Sequence, residues 1–306
     1  MVGFTLKHFR YFDALARSGH FGRAAEACSI SQPALSVQIK EIEKMLGAPL
    51  VERSARHFRL TALGEEFLQR ARNILAAVEE MSELARTSDG PLQGNLRLGI
   101  IPTVAPYLLP KVMQSLSGAF PSLEVLPRET VTQALVEDLL HGRLDVVIAA
   151  LPVDGSGLSQ FDLFEEEFVL VRPIHDIDRP LPSPSMLKEM RLLLLEEGHC
   201  FRDQALSFCD MGTINPNLVM EGSSLSTLVQ MVGANLGVTL LPEIAIDLET
   251  RHTDVWISRF KDDKPTRKIG MLWRKNNPLA RQFISLGSVI RTAVEADFPE
   301  TARERT

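Results

Sequence analysis

Two cysteines nine residues apart are the side chains best suited to chemistry in this sequence. Cys200 lies between His199 and Arg202, and Cys209 ends the same polar segment. Neighbouring positive charge favours the thiolate, which is the form of cysteine that attacks a peroxide or a disulfide. The sequence therefore predicts that Cys200 is a reactive thiol.

The spacing of the two cysteines predicts that a disulfide between them would change the local structure. If the segment between them is helical, their Cα atoms lie roughly 13 Å apart at about 1.5 Å of rise per residue. A disulfide requires a Cα separation below about 7 Å. A bond between Cys200 and Cys209 would therefore force the backbone to refold.

Burial is the alternative role for each cysteine, because free cysteine often packs as a small hydrophobe. The Gly, His, Arg, Asp and Gln residues around Cys200 argue against an apolar core there. Cys209 follows Phe208, and that pair alone would fit a core. Cys28 ends an Ala-rich stretch, and we assign it to packing.

The composition predicts a globular chain with two or three domains. It has 306 residues, of which 45% are hydrophobic and 24% charged. No apolar run approaches the roughly 18 residues of a membrane helix, and the first residues lack the apolar stretch of a signal peptide. We therefore expect a cytoplasmic protein without a membrane partner. The seven histidines show no metal-ligand spacing and there is no Gly-rich phosphate loop, so no metal or cofactor is expected.

Charge is distributed unevenly along the chain. Residues 1–60 hold nine Lys or Arg and five Asp or Glu, a net charge of +4, whereas the remainder holds 24 basic and 34 acidic residues, a net charge of −10. A basic head on an acidic body is typical of a nucleic-acid-binding unit joined to a regulatory or catalytic one.

The head is predicted to be a helix-turn-helix. A first helix with an apolar face ends at Ser18-Gly19-His20, and a short Ala-rich helix follows from Phe21 to Cys28. Ser31 is a suitable N-cap for a third helix, which runs to about Leu46 and is terminated by Gly47. Two helices joined by a tight turn, the second starting with short polar residues, form this motif. A plain helical hairpin is the alternative.

One face of the third helix is predicted to read bases. With Leu35 at the centre of the buried face, 100° per residue places the opposite side of the helix towards a major groove. Glutamine can read adenine, serine can contact several groups, and valine or proline can contact a thymine methyl. The residues on that side are Pro33, Ser36, Val37 and Lys40, and Gln32 projects from the N-terminal end of the helix. A hairpin wing with cations for phosphates or a minor groove follows, at Arg53, Arg56, His57 and Arg59.

A long helix with a heptad-like seam follows the head. Apolar residues recur at spacings of three and four from Leu63 to Ala85. The seam predicts either a helix packed on its own domain or a coiled-coil linker that pairs two chains. The turn-forming segment Ser88–Gly94 ends the helix.

The rest of the chain alternates strands with helices, which predicts parallel α/β layers. Ligands of such folds bind at the carboxyl ends of strands. Thr103 and Cys200 each follow a predicted strand, so we expect them to line one pocket. The predicted strands are 95–101, 142–150, 168–171, 191–195, 237–242 and 269–273.

Residues 4–64 resemble the winged helix-turn-helix of LysR-type transcriptional regulators. The resemblance rests on Ala24-Ala25-Glu26, Ser31-Gln32-Pro33-Ala34-Leu35-Ser36, Ile39-Lys40-Glu41-Ile42-Glu43, Leu46-Gly47, Leu50-Val51-Glu52-Arg53 and Leu60-Thr61-Ala62-Leu63-Gly64. It implies that Gln32, Pro33, Ser36 and Arg53 face DNA, with Ser31 and Thr61 near phosphates. It also favours the coiled-coil linker.

Residues 92–300 resemble the two-lobed, periplasmic-binding-protein-like effector domain of that family, and in particular its peroxide-sensing members. The matching segments are Gly99–Pro110, Gly198–Ala205 with Cys209, and Ser224–Leu228. The resemblance implies that Cys200 reacts with hydrogen peroxide and that Cys209 resolves the product as a disulfide. It further implies that Thr103, Thr132, His199 and Arg202 orient the peroxide.

The expected architecture is α+β and multidomain. A winged helix-turn-helix spans 1–60, a linker helix and hinge 61–91, and an α/β regulatory domain 92–306, with lobe I at about 92–165 and 268–306 and lobe II at about 166–267. The expected function is a non-enzymatic transcription activator that senses hydrogen peroxide. Its expected partners are double-stranded DNA with an interrupted palindrome, RNA polymerase, a cellular thiol reductant and further copies of the chain, as a homodimer or homotetramer. The alternatives are a LysR-type regulator that binds a small metabolite between the lobes, and a thiol peroxidase that binds no DNA.

Overall fold

The computed structural model of the chain describes residues 3–52, 58–84, 91–153, 155–182, 184–187, 190–208, 219–260 and 264–295. The chain divides into two compact units, Met1–Ala85 and Arg86–Thr306. Several residues with predicted roles lie outside the described ranges: Arg53, Arg56, His57, Ala85 and Cys209. Within those ranges, no helix is long and apolar enough to cross a membrane.

The first unit contains four described helices, and local sequence signals set their ends. They are α1 (Leu6–Ser18), α2 (Phe21–Ala27), α3 (Gln32–Leu46) and α4 (Ala62–Leu84). Ser31 caps α3 by accepting a hydrogen bond from the backbone N–H of Ala34 at 3.3 Å. Gly19 and Gly47 end α1 and α3 at φ 61° and 73°, in the left-handed region that glycine enters without strain. The predicted helix ends are thereby confirmed.

The core of this unit is formed by the apolar faces of the first three helices. Phe12 and Leu15 of α1 are fully buried, as are Leu35 and Ile42 of α3, whereas Leu6 is exposed. The ring of Phe67, from α4, meets the ring of Phe12 edge-on with centroids 5.3 Å apart. The third helix is therefore anchored by its buried face.

The base of the predicted wing is present as a short antiparallel pairing. Val51 and Leu60 form a bridge, and the N–H of Glu52 donates to the carbonyl of Arg59 at 2.9 Å. Glu43 of α3 accepts hydrogen bonds from the backbone N–H groups of Leu50 and Val51 at 2.9 and 3.3 Å, which ties the strand to the helix. The tip of the wing, 53–57, lies outside the described residues.

The apolar seam residues of α4 lie in two different environments, some buried and some exposed. Phe67 and Ala71 are buried in the core of their own unit, so the first half of the helix packs as the domain-bound alternative requires. Ile74 and Met81 further along the seam are exposed, Met81 by 69%. Ala85, the last predicted seam residue, is outside the described ranges. The second half of α4 is thus left with apolar side chains on its surface.

The second unit is built on a mixed sheet of seven described strands with a small parallel sheet beside it. The large sheet has the order β2-β1-β3-β9-β4-β7, with β8 paired to β4, and the small one is β5-β6. The strands are β1 (Gly94–Ile100), β2 (Leu123–Glu129), β3 (Val146–Leu151), β4 (Leu158–Pro173), β5 (Leu192–Leu195), β6 (Val219–Gly222), β7 (Thr239–Pro242), β8 (Val255–Ser258) and β9 (Thr266–Arg274).

The expectation of parallel layers applies to only part of this unit. β1 runs parallel to β2 and β3, and β5 runs parallel to β6. β9, however, is antiparallel to both β3 and β4, because the chain returns from one lobe to the other along it. The first part of β4 pairs with β9, and its end, from Phe168 to Pro173, pairs with β7 and β8. The two lobes therefore share β4.

Helices cover the sheets and follow the strand ends. They are α5 (Ala105–Ala119), α6 (Thr132–Leu140), α7 (Pro184–Leu187), α8 (Cys200–Phe208), α9 (Leu225–Gly233), α10 (Ile246–Glu249) and α11 (Ala280–Glu295). The central strand β3 is buried along its whole length, as a strand covered on both faces must be. One continuous apolar core joins the two lobes.

Candidate functional site

Three strand-to-helix junctions of the second unit meet at one narrow pocket. The junctions connect β1 to α5, β2 to α6 and β5 to α8. Together they contribute Ile101, Pro102, Thr103, Val131, Thr132, His199 and Cys200 to its walls. These residues close on one another and leave no space for a water-sized molecule between them; the 170 Å³ around them that holds no atoms includes open solvent. The pocket thus lies at the carboxyl ends of parallel strands, where α/β folds bind their ligands.

Cys200 is half-buried at the first position of α8. The preceding Gly198 has φ 95°, a conformation that suits glycine and turns the chain into the helix. The next residue, Phe201, is fully buried and packs edge-on against Phe168 with ring centroids 5.1 Å apart. The position of the sulfur is therefore fixed by a packed aromatic ring rather than by a surface loop.

The hydroxyl of Thr103 is held by a buried arginine. Arg267 donates from Nη1 to Oγ1 of Thr103 at 2.8 Å and from Nη2 to its carbonyl oxygen at 3.1 Å. Arg267 also donates from Nε to Glu166 at 2.9 Å, and its guanidinium lies over the ring of Phe201, 5.7 Å from the centroid. Because Oγ1 already accepts a bond, the hydroxyl hydrogen of Thr103 is available to donate to another group.

Thr132, at the first position of α6, presents a second hydroxyl. Its Oγ1 is buried and has no hydrogen-bond partner among the residues that the structure describes. A buried hydroxyl without a partner costs about 1–3 kcal/mol. A small polar ligand in the pocket would remove this cost.

His199 lies beside the thiol, but its charge differs from the prediction. Burial lowers the pKa of His199, and the nearby carboxylate of Glu196 opposes this shift only in part. The imidazole is therefore mainly neutral at pH 7. Burial thus opposes the positive charge that the sequence suggested for His199, and the neutral ring offers one hydrogen-bond donor and one acceptor.

Arg202 faces the neighbouring strands. Its Nη1 donates to the carbonyl of Leu195 at 2.9 Å, at the end of β5, and to Glu221 of β6 at 2.7 Å. Arg202 is buried and is not among the residues that line the pocket. These contacts anchor the first turn of α8, and a direct role of Arg202 in orienting peroxide stays a prediction.

Of the other two cysteines, only Cys28 lies in a described part of the chain. Cys28 is half-buried at the end of α2, and burial, followed by the charge of Asp13, raises its pKa. The inert role predicted for Cys28 agrees with this setting. Cys209 lies outside the described residues. Within the described part of the chain, no group of three or more His, Cys, Asp or Glu side chains is placed to hold a metal ion.

Sequence reasoning missed several residues of this region. Val131 and Ile101 line the pocket beside the predicted threonines, and their positions next to strand ends were the available signal. Arg267 and Glu221 hold Thr103 and Arg202 across 164 and 19 residues of sequence, respectively. No local pattern marks such partners.

The predicted DNA-reading face of α3 is on the surface of the first unit. Gln32, Pro33 and Lys40 are exposed, Val37 is exposed by 61%, and Ser36 is half-buried. Each is free of the buried core, so this face is available to a duplex.

The two residues predicted to lie near phosphates have structural bonds. The hydroxyl of Ser31 caps α3. The hydroxyl of Thr61 donates to the carbonyl of Pro49 at 2.9 Å and accepts from the N–H of Gly64 at 3.0 Å, at the start of α4. Their phosphate contacts, like that of Arg53, stay predictions.

Two family models match the chain. The bacterial regulatory helix-turn-helix protein model of the lysR family matches residues 6–65. The LysR substrate binding domain model matches residues 89–288. The first covers the surface of α3, and the second covers the whole pocket.

Similar proteins span almost the whole chain. A probable hydrogen peroxide-inducible genes activator from Streptomyces viridosporus is 40% identical over 299 residues, 96% of each chain. A full-length OxyR from Pseudomonas aeruginosa with a cysteine-to-aspartate substitution is 35% identical, with a TM-score of 0.74 over 94% of this chain and 95% of that one. A cysteine-to-serine variant of Corynebacterium glutamicum OxyR bound to H2O2 is 36% identical, with a TM-score of 0.64 over 95% and 93%. On this evidence the chain belongs to the LysR family of bacterial regulatory proteins.

Proposed function

We propose that this chain is a DNA-binding transcription regulator that senses hydrogen peroxide through Cys200. The observation that carries the proposal is the meeting of one thiol, two threonine hydroxyls and an imidazole in one narrow pocket. Similarity to a peroxide-inducible activator and to a peroxide-bound structure supports the same function.

The first chemical step is an attack of the Cys200 thiolate on one peroxide oxygen. A sulfur–oxygen bond forms, the oxygen–oxygen bond breaks, and the departing hydroxide takes a proton and leaves as water. Cys200 becomes a sulfenic acid. Thr103 donates its free hydroxyl hydrogen to the peroxide, and Thr132 and His199 supply the remaining polar contacts. Stabilising the charge on the departing oxygen is how such donors accelerate the reaction.

The second step is condensation of the sulfenic acid with the thiol of Cys209, which forms a disulfide and releases water. The geometry of α8 supports a coupled change of shape. Its ends, Cys200 and Phe208, are eight residues apart, or roughly 12 Å at about 1.5 Å of rise per residue. Since a disulfide requires a Cα separation below about 7 Å, a bond from Cys200 to the residue after Phe208 unwinds the helix. A cellular thiol reductant in the cytoplasm returns the chain to its first state.

The second unit then controls how the first unit meets DNA. The exposed face of α3 enters the major groove, and paired heads read an interrupted palindrome. The exposed seam residues of α4, among them Met81, supply a pairing surface for a homodimer, two of which form a homotetramer. Unwinding of α8 changes the spacing of the heads and thereby the access of RNA polymerase to the promoter.

The two alternative functions, a metabolite-binding regulator and a thiol peroxidase, account for fewer of these observations. A metabolite-binding site typically offers about 300–1,000 Å³, whereas the residues beside Cys200 close on one another and leave no comparable cavity there. A thiol peroxidase without DNA binding has no use for the capped α3 and its exposed polar face.

The proposal is tested by treating the reduced chain with stoichiometric peroxide, followed by mass spectrometry and DNA footprinting of the same samples. We expect a Cys200–Cys209 disulfide, a reduced Cys28 and a changed footprint. Cys200→Ser should abolish both changes, and Cys28→Ser is the matched control that should retain both. Oxidation of Cys28 before Cys200, or an identical footprint in both redox states, contradicts the proposal.

A further inference from the structure

We propose that the side chain of Val131 is a size filter that restricts the Cys200 thiol to hydrogen peroxide and excludes alkyl hydroperoxides. The inference rests on the proposed function and adds to it the residue that selects the substrate.

Val131 faces the loop that carries the thiol. It is the last residue before α6, with φ −65° and ψ 154°. Its Cγ1 lies 3.9 Å from the position that a Cβ on Gly198 would occupy, two residues before Cys200. The isopropyl group therefore forms the wall between α6 and the start of α8. A β-branched side chain has restricted χ1 freedom, so this wall does not easily move aside.

The direction of attack brings the substrate against this wall. Displacement at a peroxide oxygen places the sulfur, the attacked oxygen and the departing oxygen close to one line. The sulfur is on α8, and the junctions before α5 and α6 supply the other walls of the pocket. The departing oxygen and its substituent consequently point towards Thr103, Thr132 and Val131.

Hydrogen peroxide and alkyl hydroperoxides differ only in that substituent. With either substrate the sulfur–oxygen bond forms and the oxygen–oxygen bond breaks. The departing group takes a proton and leaves as water in the first case and as an alcohol in the second. Hydrogen peroxide places a hydrogen against the wall, where the threonine hydroxyls can bond its oxygen. An alkyl hydroperoxide places carbon there, against lining residues that already close on one another.

Val131 is the lining residue that can be changed without changing the fold. Ile101 is 2% exposed and belongs to the main apolar core. Val131 is half-buried, and its side chain makes no capping hydrogen bond to α6. Its carbonyl accepts from the N–H of Leu135 at 3.1 Å, a bond that alanine retains.

The test compares oxidation rates of Cys200 with hydrogen peroxide and with tert-butyl hydroperoxide, followed by quenched mass spectrometry. We expect the parent chain to favour hydrogen peroxide and Val131→Ala to lower that preference tenfold or more, since a single methylene in a fitted pocket changes selectivity by roughly 10–200-fold. Val131→Leu should raise the preference. Val136→Ala is the matched control, because Val136 is a half-buried valine on α6 that does not line the pocket.

Each outcome has a distinct meaning. A parent chain whose Cys200 does not react with hydrogen peroxide contradicts the proposed function itself. A reactive parent chain whose preference is the same in Val131→Ala, Val131→Leu and Val136→Ala leaves the sensor intact and overturns the filter. Equal loss of reactivity towards both substrates in Val131→Ala also overturns it, because the effect is then structural.

Discussion

Arg267 binds Thr103 twice, through the hydroxyl at 2.8 Å and through the carbonyl at 3.1 Å, although 164 residues separate them in sequence. Both are buried, Arg267 at 2% and Thr103 at 3% exposure. The pairing places an always-charged group directly behind a pocket hydroxyl. It also joins β9 to the junction that follows β1.

The stability of the second unit should depend on this arginine. Arg267→Met leaves the buried carboxylate of Glu166 without its cation, which costs about 3–5 kcal/mol. Urea unfolding followed by circular dichroism measures the loss. Lys268→Met, on an exposed neighbour in β9, is the control and should change the free energy of unfolding by less than about 0.5 kcal/mol. Equal stability of the two variants would show that Glu166 finds another partner.

Weakening the contact between Arg202 and Glu221 should increase local unfolding of α8. Glu221→Gln removes the charge that pairs with Arg202 at 2.7 Å, a contact half exposed on the Glu221 side and therefore worth about 0.5–1 kcal/mol. We expect amide hydrogen exchange in α8 to rise roughly two- to fivefold, and exchange in α9 to stay unchanged. Arg202→Ala should raise hydrogen exchange in α8 further and reduce the reactivity of Cys200 towards peroxide, and the reduced chain should still bind DNA. Unchanged exchange in both variants contradicts the anchoring role.

Acid should destabilise the second unit through His199. Its folded-state pKa is lowered by burial, so the unfolded chain binds more protons once the pH falls below about 6.5. The free energy of unfolding should therefore decrease between pH 7.5 and 5.5, and His199→Gln should reduce that decrease. His252→Gln, at an exposed histidine, is the control. Identical pH profiles for the parent chain and His199→Gln would contradict the assignment.

Base preference and overall DNA affinity should be separable. Gln32→Ala, at the exposed start of α3, should relax preference at one base position by about 1–3 kcal/mol. Arg53→Ala should weaken binding to all sequences and reduce the salt slope by about one. Titrations over several salt concentrations with a library of binding sites distinguish the two. A salt slope that changes equally in both variants contradicts these roles.

Assembly should depend on the exposed half of α4. Met81→Glu introduces a charge on the apolar seam and should raise the dimer dissociation constant at least tenfold, about 1.4 kcal/mol. Sedimentation equilibrium measures it. Leu6→Glu, an exposed leucine on α1, is the matched control and should assemble normally. A parent chain that is monomeric at micromolar concentration would remove the basis for paired heads.

Local sequence signals were sufficient to predict the helices of the first unit and the strand ends that form the pocket. Ser31 and Gly47 each act within one helical turn, so the limits of α3 follow from sequence alone. The ends of β1 and β5 are likewise marked by apolar runs, which is why Thr103 and Cys200 could be expected in one pocket. Strand β2 was missed because its edge position leaves most of it exposed, with Glu, Pro and Arg among its residues.

Long-range partners could not be anticipated. The orientation of Arg202 depends on Glu221, which lies on the unpredicted four-residue strand β6. The charge of His199 depends on how deeply the folded chain buries it. Both properties arise only when distant segments pack together, so no spacing in the sequence carries them.

The sixteen-residue strand β4 also determines how the two lobes of the second unit are connected. This strand pairs with β9 in its first part and with β7 and β8 at its end, so one continuous strand belongs to both lobes. The nine-residue α8 lies outside this shared strand and packs against β5 of the small sheet. If Cys200 is oxidised as proposed, we therefore expect the change in the second unit to begin as a repacking around α8 and not as a change in the angle between the lobes.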